Sequence, residues 1–210
     1  MHEEVANSIT HGLGLLLSLV ASVLLISAAG HSGDTWQMIG CATFAVSMVA
    51  VYAASTLSHA FADGQVRRFF RILDQAFIYV MIAGTYTPFA LTYLRGGWWW
   101  VLFGMMWGIA LAGVFAKVVR KHEVDGATVW SYVLMGWLPM LAVKPLLTTV
   151  PLGGLWWMLM GGLCYTAGSV FLTFDKHIRY FHAVWHVLVI AGSGCHFFAI
   201  LWYVAEQRFV

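Results

Sequence analysis

Apolar residues dominate this chain, and charged residues divide it at intervals. No Asp, Glu, Lys or Arg occurs within 5–33, 35–62, 75–94, 96–116, 126–143, 145–174 or 180–205. A helix needs about 20 residues, at about 1.5 Å of rise each, to cross a hydrocarbon core about 30 Å thick. The pattern therefore predicts seven spanning helices at about 11–30, 36–60, 73–94, 98–118, 127–144, 154–174 and 180–204. The fifth is the shortest, with Pro139 near its end and Lys144 closing the run. The expected fold is an all-α membrane protein, one seven-helix transmembrane domain over residues 1–210.

Composition agrees with this. Of 210 residues, 61% are hydrophobic and 10% charged, against about 25% charged in soluble domains. The net charge of +2 is too small, and the surface too apolar, for a nucleic-acid binder. Cys41, Cys164 and Cys195 lie inside apolar runs, match no zinc motif and read as packing residues. The first run has neither a basic lead nor a clear cleavage signal, which argues against a secretory signal peptide.

The basic residues suggest an orientation. Arg67, Arg68, Arg71, Lys117, Arg120, Lys121, Lys176 and Arg179 fall at one face, and Arg95, Lys144 and Arg208 at the other. Positively charged short loops stay inside, so the N-terminus is expected in the cytoplasm and the C-terminus outside. Trp36, Trp98, Trp99, Trp100, Trp156 and Trp157 gather at the opposite helix ends, as an outer interfacial belt would. A multi-pass protein of the inner (plasma) membrane is expected.

That topology aligns a set of polar residues. Ser55 and His59 lie four apart near the inner end of span two, and Asp74 lies near the inner start of span three. His182 and His186, again four apart, begin span seven. Three imidazoles suit zinc, and three protein ligands with one open position form the catalytic pattern. His59, His182 and His186 are the candidate ligands. Asp74 is either a fourth ligand or the group that holds the attacking water, with Ser55 assisting through its hydroxyl. A lone HxxxH pair is weak evidence, because membrane histidines also serve as interhelical hydrogen-bonding groups. His59 and Asp74 at the same depth strengthen the metal reading, since ionisable residues inside a membrane mark function by default.

Asn7 and His11 stand at the inner start of span one, as a helix cap or as contacts to the site or its substrate. His196 lies ten residues past His186, about 15 Å deeper, too far for the same ion, and reads as a core or cavity-lining residue. Tyr79 either lines the pocket or packs. Gly84 and Pro88 should kink span three, with threonine hydroxyls serving the freed carbonyls. Gly84, Gly104 and Gly136 suggest close helix contacts and leave the oligomeric state open.

The stretches EEVANSITHGLG, YAASTLSHAF, RILDQAFIYVMIAGTYTPF and FHAVWHVLVIAGSGCHFFAI together resemble the haemolysin III family, relatives of the progestin and adiponectin receptors. The resemblance covers essentially the whole chain. It implies seven helices, a cytoplasmic N-terminus and zinc near the cytoplasmic face, held by His59, His182 and His186 with Asp74 and Ser55 beside it. It also brings similarity to membrane-embedded metal hydrolases, including alkaline ceramidases and a ceramide-directed amidase branch. Hormone reception, which in the animal receptors goes with a long N-terminal cytoplasmic domain, is not carried over.

The leading expectation is a zinc-dependent hydrolase of a lipid amide or ester bond, with a membrane lipid as substrate. One alternative is a lipid-sensing or membrane-homeostasis protein with a structural zinc. Another is a haemolysin or pore, which would need a polar lane across the membrane.

Overall fold

The computed structural model describes residues 2–62, 64–96, 99–120 and 126–207, and among these it is helical with no strand. The helices are α1 (His2–Ser32), α2 (Thr35–Ala60), α3 (Gln65–Tyr93), α4 (Trp99–Arg120), α5 (Gly126–Trp137), α6 (Val143–Thr149), α7 (Leu152–Phe174) and α8 (Phe181–Ile200). A 3₁₀ turn, Leu138–Ala142, joins α5 to α6, and a π turn, Leu201–Ala205, extends α8. Counting α5, the 3₁₀ turn and α6 as one, seven helices are long and apolar enough to cross a membrane.

Three spans are longer than the charge-free runs suggest, and α3 begins at Gln65, eight residues before the expected position 73. α1 begins nine residues before the expected position 11, so that Glu3, Glu4, Asn7 and Thr10 are helical. The fifth span runs Ala127–Thr149. The chain tightens into the 3₁₀ turn around Pro139 and resumes as a helix through Lys144. A charged residue need not end a span when its long stem lets the head reach the interface.

The outer surface is apolar along the helices: Val20, Val23, Val46, Leu111, Phe115 and Leu134 are all well exposed. Patches of this kind are rare on soluble monomers and suit a lipid solvent. A close seam joins α2 to α3. A Cβ added at Gly84 would lie 2.3 Å from Ser47 Oγ, so only glycine admits this approach. Gly104 and Gly136 meet nothing within 4 Å, and the expectation of close contacts at those two is corrected. α3 runs on through Pro88. Thr85 and Thr87 donate to the carbonyls of Met81 and Ala83, each at 2.7 Å, in the turn before the proline.

Three connections shape the two ends of the bundle. Gly33 adopts φ +71° after α1, and Asp34 then caps α2 by accepting from the N–H groups of Trp36 (2.8 Å) and Gln37 (3.3 Å). At the other end of the bundle, α2 turns into α3 between Phe61 and Gly64, and α7 turns into α8 through 175–180. The α7–α8 turn holds Tyr180 in the left-handed region at φ 64°, a conformation that costs energy in a non-glycine residue. Its N–H donates to Glu3 Oε1 at 3.1 Å, which ties α1 to the start of α8.

Of the residues used to orient the chain, Trp98, Lys121 and Arg208 lie outside the described residues, as does the side chain of Arg120. Trp36 and Trp100 meet edge to face at 6.2 Å on the end of the bundle away from the α2–α3 turn.

Candidate metal centre

α2 and α8 bring the three expected histidines together. His59 sits in the last turn of α2, and His182 and His186 occupy the first two turns of α8 on one face. The ring centroids lie 5.1 Å apart for His59 and His182, 5.1 Å for His59 and His186, and 4.5 Å for His182 and His186, each pair near perpendicular. One ligand atom from each lies within 4.8 Å of the other two, close enough to hold a metal ion.

The hydrogen bonds decide which nitrogen each ring offers. His59 Nδ1 is 2.7 Å from Glu4 Oε2, and His182 Nδ1 is 2.7 Å from Asp175 Oδ2. An ionised carboxylate only accepts, so both Nδ1 atoms carry the proton and both Nε2 lone pairs are free. His186 Nδ1 is 3.1 Å from Thr10 Oγ1. The Thr10 hydroxyl donates its single hydrogen to the carbonyls of Ala6 and Asn7, both at 2.9 Å. Towards His186 it therefore accepts, and His186 too presents Nε2. All three rings are held from behind by an oxygen, as in metal sites where an outer group fixes the tautomer and the ring angle. His59 Nε2 is buried with no hydrogen-bond partner, as a ligand awaiting an ion would be. The residues present fit a metal.

Glu4, Thr10 and Asp175 are the residues that sequence reasoning missed. Glu4 reads as part of a charged N-terminal tail until α1 is seen to start at His2, and it also pairs with Arg67 and, at 3.8 Å, with Arg71. Asp175 reads as an ordinary loop acid. Its place seven residues before His182, across a short turn, was the available signal.

The carboxylate of Asp74 is not within the 4.8 Å cluster, which comprises the three imidazoles alone. Ser58 Oγ donates to Asp74 Oδ2 at 3.4 Å. Ser55 approaches the same carboxylate, yet its Oγ is fully buried without a properly formed hydrogen bond. His11 stacks on His186 at 3.5 Å and meets Tyr52 edge-on at 5.2 Å. Both of its ring nitrogens, and Asn7 Oδ1, are buried without partners. The site is thus flanked on the α1 side by unsatisfied polar atoms, each costly unless something binds there. Tyr79 turns towards α5, where its hydroxyl meets Ser131 Oγ at 2.6 Å.

A separate cavity of about 300 Å³ lies deeper in the bundle, and none of His59, His182, His186 or Asp74 lines it. It starts at Ile78, one turn past Asp74, and at Trp185, next to His186, and reaches Tyr86 and His196. Its walls are mostly apolar, drawn from six of the seven spans.

Fold and site together define a multi-pass membrane protein with a three-histidine cluster at one end of the bundle and an apolar cavity deeper in the bundle. Comparison with known proteins gives the particular kind. The profile of the Haemolysin-III related family matches residues 1–197, and the chain belongs to the haemolysin III family. It is 38% identical to the Hemolysin-3 homolog of Bacillus subtilis over 208 residues, covering 99% of this chain and 97% of that one. It is 39% identical to Hemolysin-3 of Bacillus cereus over 202 residues, covering 96% and 92%. Human Monocyte to macrophage differentiation factor is 27% identical over 208 residues, covering 97% and 85%.

Proposed function

We propose that the chain is one seven-helix domain that binds zinc through the Nε2 atoms of His59, His182 and His186 and hydrolyses an amide or ester bond of a membrane lipid. The observation that carries this reading is the orientation of three imidazoles by Glu4, Asp175 and Thr10, with an apolar cavity deeper in the same bundle. Zinc in such a site lowers the pKa of water towards about 7 and polarises a carbonyl.

The protein's own groups have separable tasks. The histidines hold and orient. Asp74, outside the ligand set but next to it, accepts a proton from the attacking water and returns it to the leaving group. Ser58 holds the Asp74 carboxylate by donating to it. The cavity takes the acyl chain and excludes water from it. The excess of basic residues in the loops between spans two and three, four and five, and six and seven supports a cytoplasmic N-terminus and a site on the cytoplasmic side of the inner membrane, by the positive-inside rule.

One observation favours a second reading, a lipid-responsive protein with a structural zinc. The cluster and its outer partners draw on α1, α2, α8 and the α7–α8 turn, so an ion would pin separate parts of the bundle together. A pore has weaker support, because the ionisable groups gather at one end and the cavity is apolar.

The test is release of fatty acid from a broad panel of lipid amides and esters by purified, zinc-loaded protein. Zinc-dependent release from at least one class is expected. Stoichiometric zinc with no release from any lipid would leave the structural reading in its place.

A further inference from the structure

The wall of the cavity carries two polar groups without a hydrogen-bond partner. Tyr86 is 3% exposed and its hydroxyl has no hydrogen-bond partner, and His196 is 7% exposed with Nδ1 likewise unpartnered. Both residues line the cavity. They come from different helices, α3 and α8, that run in the same direction from the histidine end. Tyr86 lies twelve residues beyond Asp74, and His196 ten beyond His186, which sets them about 18 and about 15 Å deeper. Two spans thus place an orphaned polar group at nearly the same depth. An apolar protein interior tolerates such groups only when something pairs with them.

His196 is also held for this position. Its ring stacks on Tyr165 at 5.4 Å, and a Cβ at Gly161 would lie 2.5 Å from its Nε2, so the small residue makes room for the imidazole. Tyr165 has its own partner in Ser193 Oγ at 2.9 Å, which Tyr52 also reaches at 2.8 Å. The neighbouring polar groups are therefore satisfied among themselves, and the pair left over belongs to two residues of the cavity wall.

We propose that this level of the cavity is a polar subsite, and that the cavity selects an acyl chain bearing a hydroxyl near its middle over an unsubstituted one. The proposal rests on the reading of the cavity as an acyl-chain site. A hydroxyl has one hydrogen to donate and lone pairs to accept. It can accept from the Tyr86 O–H and donate to His196 Nδ1, pairing both groups at once. A keto oxygen can only accept and would leave one of them unpaired. With the polar head at the histidine end, about 15 Å corresponds to roughly twelve carbon–carbon bonds of an extended chain, each advancing about 1.25 Å for a bond of about 1.5 Å. The subsite therefore fits a hydroxyl near carbon 12.

The experiment is equilibrium binding of radiolabelled stearate to the purified, delipidated full chain, with 12-hydroxystearate and 2-hydroxystearate as competitors. We expect 12-hydroxystearate to bind about tenfold more tightly than stearate, because it pairs buried groups that stearate leaves unmade. 2-Hydroxystearate, whose hydroxyl stays at the histidine end, should not gain through this subsite. Tyr86→Phe, which keeps the ring and removes only the oxygen, should abolish the preference for the 12-hydroxy acid while stearate binds as before. Equal binding of stearate and 12-hydroxystearate would overturn the subsite and leave the acyl-chain cavity intact. A preference that survives Tyr86→Phe would also overturn it. Binding of none of the acids would remove the lipid reading of the cavity together with the subsite.

Discussion

Replacing Asp175 by Asn isolates the effect of the groups behind the histidines. Asp175 Oδ2 lies 2.7 Å from His182 Nδ1, with the two side chains 18% and 29% exposed. The pair is screened less than a surface ion pair, and the carboxylate forces the proton onto Nδ1. An Asn is nearly the same size but removes the charge. It can also turn its amide N–H₂ towards the ring, which favours the tautomer with the proton on Nε2 and blocks that atom as a ligand. Loss of such an outer partner costs about 10–100-fold in metal affinity, or about 1.4–2.8 kcal/mol at about 1.4 kcal/mol per tenfold. Asp175 is a better target than Glu4, because Glu4 also pairs with Arg67 and its loss would disturb packing. The assay is competition for zinc against a chelator of known affinity at fixed pH, with helicity checked by circular dichroism. The expected order is wild type, then Asp175→Asn weaker by one to two decades, then His182→Ala weaker still. Unchanged affinity in both Asp175→Asn and Asp175→Ala, with binding lost in His182→Ala, would refute the idea that Asp175 orients the ring.

Other consequences follow from single contacts. Asp74→Ala should retain zinc at near wild-type stoichiometry yet lose at least about a hundredfold in lipid hydrolysis, the contribution typical of general acid–base catalysis, as measured by fatty-acid release. Gly84→Ala should lower the thermal midpoint in detergent, since its Cβ would press on Ser47. The cost should be about 1–3 kcal/mol, and Ser47→Gly in the same chain should recover part of it. Burial works against the charge on Asp34, but the N–H groups of Gln37 and Trp36 and the Arg95 guanidinium hold its carboxyl below the ordinary value of 3.8. Its contribution to stability is therefore present above about pH 4 and lost as pH falls through the folded-state value. Asp34→Ala should remove that acid-side dependence and destabilise by about 1 kcal/mol, read from melting curves at several pH values.

The seven spans were legible because charge in a bilayer core is costly, so uninterrupted apolar runs mark helices directly. Their ends were less legible. α1 starts early because Glu3 and Glu4 are engaged by the α7–α8 turn, by His59 and by basic residues of α3, contacts between segments far apart in sequence. The fifth span continues past Lys144 because apolar runs report hydrophobicity and not backbone continuity.

Residue spacing and a shared depth brought His59, His182 and His186 together correctly. Spacing could not show that Thr10, Glu4 and Asp175 stand behind the rings, since those partners lie up to 176 positions away. His11 was placed near the site by depth, but its stacking on His186 depends on how α1 packs against α8. Tyr79, on the same face of reasoning, packs towards Ser131 because α5 approaches α3 there.

If three imidazoles hold one metal ion, the metal content of the purified protein depends on each of them. Detergent-purified wild-type protein, His59→Ala, His182→Ala and His186→Ala should be analysed by inductively coupled plasma mass spectrometry after exhaustive dialysis. The account predicts about one zinc per wild-type chain and its loss in each variant, with the helical spectrum kept. A wild-type protein that binds no metal, or one whose metal persists when all three histidines are replaced, would contradict it.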